Sequence, residues 1–528
     1  MSEAPAPTIV ICPFATPNGP LHVGHLAGPY LAADVHARYL RARGTPVLFP
    51  GGVDENQTYV VSTAQRLGVT PEALCAESAD GVRRSIEAAG ISVDAFVPAG
   101  DSYRRAVVDF VSRLHAGGKL RLRDVALPYS EAKGEYLLDG LVAGECPMCL
   151  ATTCGGVCES CGHPVDYSAL RNLRSTLDPD DPVTLRREPL LVLPAEEYRD
   201  RLAAFHADRP FRWRPHIEQL ITEMLERPLL DFPVTYPLRR GIPAPFPETP
   251  GHVINPWVEA MPQSMHGAWY AGGRAGEVDG RWRADAGPRV VYFLGYDNAP
   301  NWAMTYIALL MAHADRYVLP SAIVCNEFYE LEYDKVSTSR RHVVWATDLM
   351  AKWPRDLARF YLARTAPENQ RTSFDRFALE SVATRQLVEP WNELAAAVAE
   401  LGTAVPTGTR LDVSLEGKRR AATMTARFAA CFELPTFSLT RAAATLSEQI
   451  QRLHAVARDA RGRDQLGDLA LEVQTLVACA APILVDAAEQ ALRGGMPLTW
   501  PGDAYPDSIE LRRLPRLPSL TDHETRTS

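Results

Sequence analysis

Lysine is scarce in this sequence: only Lys119, Lys133, Lys335, Lys352 and Lys418 occur among 528 residues, against fifty arginines. Such usage reads as a genomic bias, and it makes any lysine inside a motif more notable. Positive charge is in deficit as a whole, 55 basic residues against 64 acidic for a net charge of −9. That balance excludes a polybasic coat for non-selective nucleic-acid binding, although not a local basic patch. Long hydrophobic runs are missing too. The best, Ala303 to Ala314, falls short of the roughly 18 apolar residues of a membrane helix. Met1 to Pro7 carries no basic stretch leading into an apolar one, so no export signal is expected and the cytoplasm is the default setting. The length, with 46% hydrophobic residues, leaves room for about three or four domains.

What is present begins as strand, loop, helix, strand. Thr8 to Cys12 is a short apolar run closed by Pro13, and Pro17 to Gly24 is broken by proline, asparagine and glycine. From His25, apolar positions at Leu26, Tyr30, Ala33, Ala37 and Leu40 follow helical spacing, and Gly44 stops them. Pro46 to Phe49 gives a second buried strand. This is the opening of a doubly wound parallel sheet, an α/β fold of Rossmann type whose ligands sit at the carboxyl ends of the strands. Residues from about 115 to 235 interrupt the pattern as an insertion. It resumes at Val290 to Leu294, runs through a helix at Asn301 to Ala312, and continues at Tyr317 to Cys325. After about residue 375 strands give way to alanine-rich helical periodicity up to Leu492, an all-α C-terminal domain with a proline-rich tail.

Ten cysteines are present, five of them between Cys146 and Cys161. Cys146 and Cys149 form one CxxC pair, Cys158 and Cys161 another, with Cys154 the spare between them. Two such knuckles, with turns supplied by Gly155, Gly156 and Gly162, match a closed tetrahedral zinc site of structural kind. Cys12, Cys75, Cys325, Cys431 and Cys479 lie scattered in apolar surroundings and read as reduced core residues.

The most specific local pattern is Pro17 to His25 (PNGPLHVGH). His22 and His25 lie three apart at the first turn of a helix and so share a face. Helix N-termini offer free N–H groups and partial positive charge to phosphates, and imidazoles add donors for charge that develops on phosphate oxygens. Gly24 lets a flat group approach the backbone.

His22-Val23-Gly24-His25 resembles the HIGH signature of the class I aminoacyl-tRNA synthetases, and the flanking text most resembles the methionyl-tRNA synthetase family. The likeness continues through Ala32 and Asp34, Gly51 to Gln57, Leu67 to Glu72, the cysteine insertion, and on to about residue 375. Asp334 to Ser339 resembles the family's KMSKS loop, with Thr338 standing where its second lysine belongs and Arg340 following. The resemblance divides the chain into catalytic half 1 (1–114), a zinc-bearing insertion (115–235), catalytic half 2 (236–325), a loop and stem-contact region (326–375), an anticodon-binding-like helical domain (376–500) and a tail (501–528).

It also implies roles. His22, His25 and Lys335 would be catalytic, stabilising the transition state and the leaving pyrophosphate. Asn18, Gly24, Asp297, Ser337 and Ser339 would bind ATP, Asp297 at the ribose. Asp54 would hold the amino group of the amino acid, with Phe14, Trp257, Met261, Ser264, Asn298 and Trp302 lining its pocket. ATP, Mg²⁺ and a structural Zn²⁺ would be the cofactors. Ser264 replaces the family's tyrosine, Asn298 an aliphatic residue and Trp302 a histidine, so a changed amino-acid specificity is expected, with buried Asn298 and Asn301 wanting polar partners. Residues 381–528 hold 16 basic and 18 acidic residues, and no tryptophan stands between Arg441 and Gln465 to stack an anticodon base. From this follows the expectation of an adenylate-forming ligase that passes its acyl group to a small non-tRNA nucleophile, in amide or hydrazine formation. The alternatives are a true methionine–tRNA ligase and a non-catalytic tRNA- or nucleotide-binding module. The sequence leaves the oligomeric state open.

Overall fold

The computed structural model describes residues 6–331, 343–460, 465–502 and 504–519, and the backbone alone of 334–335 and 463–464. The chain packs into two units. One comprises Met1–Leu21, Val47–Arg84 and Val93–Asn326, the other His22–Pro46, Ser85–Ser92 and Glu327–Ser528.

In the first unit the apolar run at the N-terminus becomes the strand Thr8–Ile11, all four residues buried. It lies between Arg289–Gly295 and Val47–Leu48, and Ala322–Asn326 extends the sheet beyond Arg289–Gly295. Every pairing is parallel. Buried on both faces, such strands read as continuous apolar runs, which is why VVYFL is visible in the sequence. A second parallel pair, Pro50–Gly52 with Ala95–Val97, adjoins the turn that carries Asp54. The insertion is a long antiparallel ribbon, Arg121–Ser130 against Val183–Leu193, whose register runs from Arg121 opposite Val192 to Ser130 opposite Val183. A small three-stranded sheet (Val142–Glu145, Thr152–Thr153, Arg171–Ser175) carries the cysteines.

The second unit opens with the helical segment after the histidines. The expected helix forms, but not as one regular rod. Leu26–Tyr30 makes a wide turn with non-helical backbone at Gly28 ahead of Pro29, and Leu31–Ala42 then runs regularly. Proline cannot donate a hydrogen bond to the preceding turn, which accounts for the break. Gly44 ends the segment with φ +77. The C-terminal helices include Glu389–Thr403, Leu415–Phe432, Leu439–Asp459 and Arg463–Ala480. One short ribbon, Arg410–Asp412 with Ser508–Glu510, corrects the expectation that strands disappear after residue 375.

A buried ion pair holds this unit. Asp34 is wholly buried and accepts from Arg359 Nη2 at 2.6 Å, from Arg38 Nε, and from both the backbone and the hydroxyl of Ser92. The Arg359 guanidinium also donates to the carbonyls of Ala89, Pro482 and Ile483. Burial alone would raise the Asp34 pKa, but the arginines and Ser92 outweigh it and hold the carboxylate below its usual range. Removing the guanidinium strands a buried charge, so Arg359→Leu is expected to cost about 3–5 kcal/mol, read as a lower urea midpoint. Asp34→Asn combined with Arg359→Leu should lose less than the single change. An equal or larger loss would contradict this account.

Candidate active site

Asp54 lies where the chain leaves Pro50–Gly52, its backbone N–H tied to the Ala15 carbonyl at 3.0 Å. Its carboxylate is buried. Oδ2 accepts from Gln57 Nε2 at 2.8 Å, while Oδ1 has no partner. In the same unit stands a second buried carboxylate, Glu259, which accepts from Asn56 Nδ2 at 2.9 and 3.1 Å and from the Tyr103 hydroxyl. Burial pushes both acids up, Asp54 to about 7 and Glu259 to about 8, the Asp54 charge adding to the effect on Glu259. Both therefore keep protons on folding that the unfolded chain loses. Their contribution to stability is full at low pH and falls as pH rises toward about 8. Sequence reading does not single out Glu259 or Tyr103, because they meet Asp54's surroundings from distant segments, whereas Gln57 follows Asp54 by three residues in the polar run after it.

The expected pocket residues fall into the same unit. Phe14 packs so closely on Gly52 that a Cβ there would stand 2.5 Å from its ring. Met261 is fully buried, its sulfur facing the Tyr292 hydroxyl at 3.8 Å. Trp302 is buried edge-to-face between Tyr292 and Tyr306, with centroids 4.9 and 5.3 Å away. Ser264 is buried, and its hydroxyl donates back to the Ala260 carbonyl of its own helix at 2.7 Å, so it adds space rather than polarity. Trp257 is half-buried, and its Nε1 has no hydrogen-bond partner. Asn301 is buried as expected; Asn298 is not. It is half-buried and donates to Asp297 Oδ1 at 3.1 Å, because it sits at the opening turn after Arg289–Gly295 rather than on its inner face. Asn18 is half-buried in a turn closed by its backbone N–H to the Thr16 carbonyl.

In the second unit His22 caps its helix. Its Nδ1 accepts from the Gly24 N–H at 3.1 Å, and the His22 N–H donates to His25 Nδ1 at 3.2 Å, a reciprocal capping box. Gly24 permits this: a Cβ would stand 3.0 Å from the His22 ring. The rings stack at 3.8 Å. Because both Nδ1 atoms accept, a neutral ring carries its proton on Nε2. Burial lowers the His25 pKa to about 4, although the residue as a whole is half-buried, so its ring is neutral at pH 7. Val23 N–H binds the Val344 carbonyl, tying this turn to the segment after the signature loop. Of that loop only the backbone of Asp334–Lys335 is described, paired with Glu330 and Leu331. The Lys335 side chain and Val336, Ser337, Thr338, Ser339 and Arg340 lie outside the described residues.

Cys146, Cys149, Cys158 and Cys161 converge with all four sulfurs within 4.8 Å of one another. Cys146–Cys161 and Cys149–Cys158 stand 3.8 and 3.6 Å apart. A tetrahedron of ~2.3 Å Zn–S bonds has edges of about 3.8 Å, so the donor set fits zinc. Cys154 lies outside the four, and Cys12, Cys75, Cys325, Cys431 and Cys479 are buried and form no disulfide. Gly155 and Gly156 take positive φ (+88 and +67) between the knuckles, as their turns require.

A parallel sheet with a two-histidine turn following its first strand, and a four-thiolate insertion between its halves, is the assembly of a nucleotide-using synthetase. A family model described as tRNA synthetases class I (M) matches residues 8–398. The methionine–tRNA ligase of Roseiflexus sp. (strain RS-1) is 33% identical over 405 residues, 74% of this chain and 68% of that protein. That of Thermomicrobium roseum is 32% identical over 390 residues, 73% and 66% respectively. Two structures of Mycobacterium tuberculosis methionyl-tRNA synthetase with methionyl-adenylate share the fold at 20% identity. One has a TM-score of 0.72 and covers 97% of this chain and 99% of that one; the other scores 0.70, with 93% and 94%. The chain belongs to the class I tRNA synthetases of the methionyl type, a family of ATP-dependent ligases. No described helix is long and apolar enough to cross a membrane.

Proposed function

We propose that this chain joins an amino acid to ATP as an enzyme-bound aminoacyl-adenylate and passes the acyl group to tRNA, methionine being the amino acid its relatives are named for. The observation that supports activation best is the buried Asp54 carboxylate, one oxygen held by Gln57 and the other unpartnered, a site for the substrate ammonium. With the ammonium anchored, a carboxylate oxygen of the amino acid attacks the α-phosphorus of ATP. The bond to the bridging oxygen breaks, and pyrophosphate leaves with the electron pair. His22 and His25, each donating from Nε2, stabilise the charge on the phosphate oxygens, Asp297 binds the ribose, and Lys335 with Ser337 and Ser339 acts on the leaving group. Mg²⁺ enters with the ATP. The acceptor hydroxyl then attacks the acyl carbon, AMP departs with the electron pair, and the hydroxyl proton passes to solvent. The four cysteines would hold zinc in a role structural to the insertion, and the cytoplasm is the compartment proposed for the reaction.

tRNA is preferred over a small nucleophile because the class I (M) family model matches residues 8–398 and the similar curated proteins are named methionine–tRNA ligases. The small-nucleophile reading is favoured by one observation, the 16 basic against 18 acidic residues of 381–528. Charging of initiator or elongator methionine tRNA transcripts decides between them. Acid-precipitable aminoacyl-tRNA is the expected result. Adenylate formation without charging of either tRNA would move the acceptor to a small nucleophile.

Binding of the ammonium needs Asp54 ionised. The amino-acid KM is therefore expected to fall as pH rises from 6 to 8, with the KM for ATP nearly constant over that range. A flat amino-acid KM would remove Asp54 from this role.

A further inference from the structure

The first unit encloses a cavity of about 220 Å³ whose wall includes Trp257, a residue of the expected amino-acid pocket. It exceeds the ~150 Å³ engineered cavity that admits benzene. Leu127, Val192, Phe232 and Met304 make it largely apolar. Three rings relate it to Asp54. Trp302 packs edge-to-face on Tyr306 with centroids 5.3 Å apart, and Tyr306 packs on Phe232 of the cavity wall at 6.3 Å. The buried Tyr306 side chain also lies within the field of the Asp54 carboxylate. The cavity is thus one ring away from the group that would anchor the substrate ammonium.

Asn301 interrupts the apolar lining. It is 6% exposed, and it opens the wide turn Asn301–Thr305 directly before Trp302. Wide turns of this kind recur at functional sites. Neither the amide oxygen nor the amide nitrogen of Asn301 has a hydrogen-bond partner among the described residues. Unlike Trp257 Nε1, neither is sealed from a water-sized neighbour, so both face open space. The space that Asn301 lines is the cavity. A ligand group that displaces water from such an amide loses affinity unless it restores the hydrogen bonds. The amide therefore selects among side chains that enter.

An amide offers an acceptor and N–H donors side by side, and a second amide complements both. An anion is poorly served, because no lysine, arginine or histidine stands on the described wall while Asp139, Asp166 and Asp231 do. A cation gains little from those acids. Asp139 Oδ1 is tied to the Tyr167 hydroxyl at 2.6 Å, whereas Asp166 and Asp231 are exposed and engaged by Ser168 and Arg123. Stripping water from an ammonium to face a neutral amide is costly.

We propose that Asn301 sets the amino-acid specificity: the substrate side chain enters this cavity beside Trp257 and ends in a carboxamide that pairs with the Asn301 amide. Methionine fits the same space but leaves that amide unpaired, and so is activated less well. The inference rests on the reading that this chain forms an aminoacyl-adenylate.

ATP–pyrophosphate exchange by the full chain tests it, with methionine, glutamine, homoleucine (the apolar isostere of glutamine), glutamate and lysine as substrates. Glutamine is expected to exceed homoleucine in kcat/KM by at least about tenfold, because a site that bonds a polar group rejects the analogue lacking it. Asn301→Leu, which keeps the size and removes the amide, should lower glutamine, raise homoleucine and methionine, and bring the ratio to one or below. A residue that merely supported the fold would lower all three together. The wild-type panel decides alone if the variant does not fold. Exchange with methionine and no excess of glutamine over homoleucine overturns the inference, as does glutamate or lysine exceeding glutamine, or a ratio that Asn301→Leu leaves unchanged. Silence with every amino acid, methionine included, removes the adenylate reading and this inference with it.

Discussion

His22→Asn is expected to lower amino-acid-dependent ATP–pyrophosphate exchange on the order of 10²–10³-fold while leaving the thermal midpoint nearly unchanged. Asparagine is as good an N-cap as any residue, so its side chain can still accept from the Gly24 N–H that His22 Nδ1 holds at 3.1 Å. What it cannot supply is the Nε2–H donor, and one donor aimed at a developing oxyanion is worth about 2.7–4 kcal/mol. The substitution therefore separates the two jobs of the residue. His22→Ala should add the loss of the cap, about 1 kcal/mol, to the same catalytic loss. Full activity in His22→Asn would leave the histidine with the capping role alone. A loss of activity matched by a loss of folded protein would have the same meaning.

The second large effect concerns the cysteines. Cys158 is fully buried among the four sulfurs, so Cys158→Ser removes one of the four thiolate ligands. Bound metal is expected to fall well below one zinc per chain, and the insertion to lose its cooperative melting. Structural zinc contributes apparent binding energies of about 10–16 kcal/mol, and that energy is folding energy. Cys154→Ser, outside the four, should keep one zinc per chain. Metal content by mass spectrometry checks both. A Cys158→Ser protein with full zinc, or a Cys154→Ser protein without it, would contradict the assignment.

Features carried by short stretches of sequence are the ones legible in it. Thr8–Ile11, the glycine- and proline-broken loop and the histidine turn are consecutive, and the two CxxC knuckles declare their metal geometry through spacing alone. What depends on partners far along the chain is not legible. Glu259 beside Asp54's polar neighbours, Arg359 on Asp34 and Asp139 on Tyr167 are separated from their partners by 28 to 325 residues, or come from segments equally remote. The break at Gly28 was open to reading from Pro29, but the apolar periodicity across it masks the signal. Asn298 shows the converse error: a pattern of replacements suggested a buried amide, whereas the backbone turn after Arg289–Gly295 carries it to the rim, where Asp297 takes its hydrogen bond. The C-terminal region is legible as helix through its periodicity, and its near-balanced charge, taken alone, points to a small acceptor. Relatives matched over the catalytic region weigh more, and they favour tRNA.

Amino-acid-dependent ATP–pyrophosphate exchange by the wild-type chain, without tRNA, tests the central claim most directly. The account predicts incorporation of labelled pyrophosphate into ATP when methionine is added, and none when the amino acid is left out. Nucleotide binding without exchange for any amino acid would contradict it and leave a module that binds but does not activate.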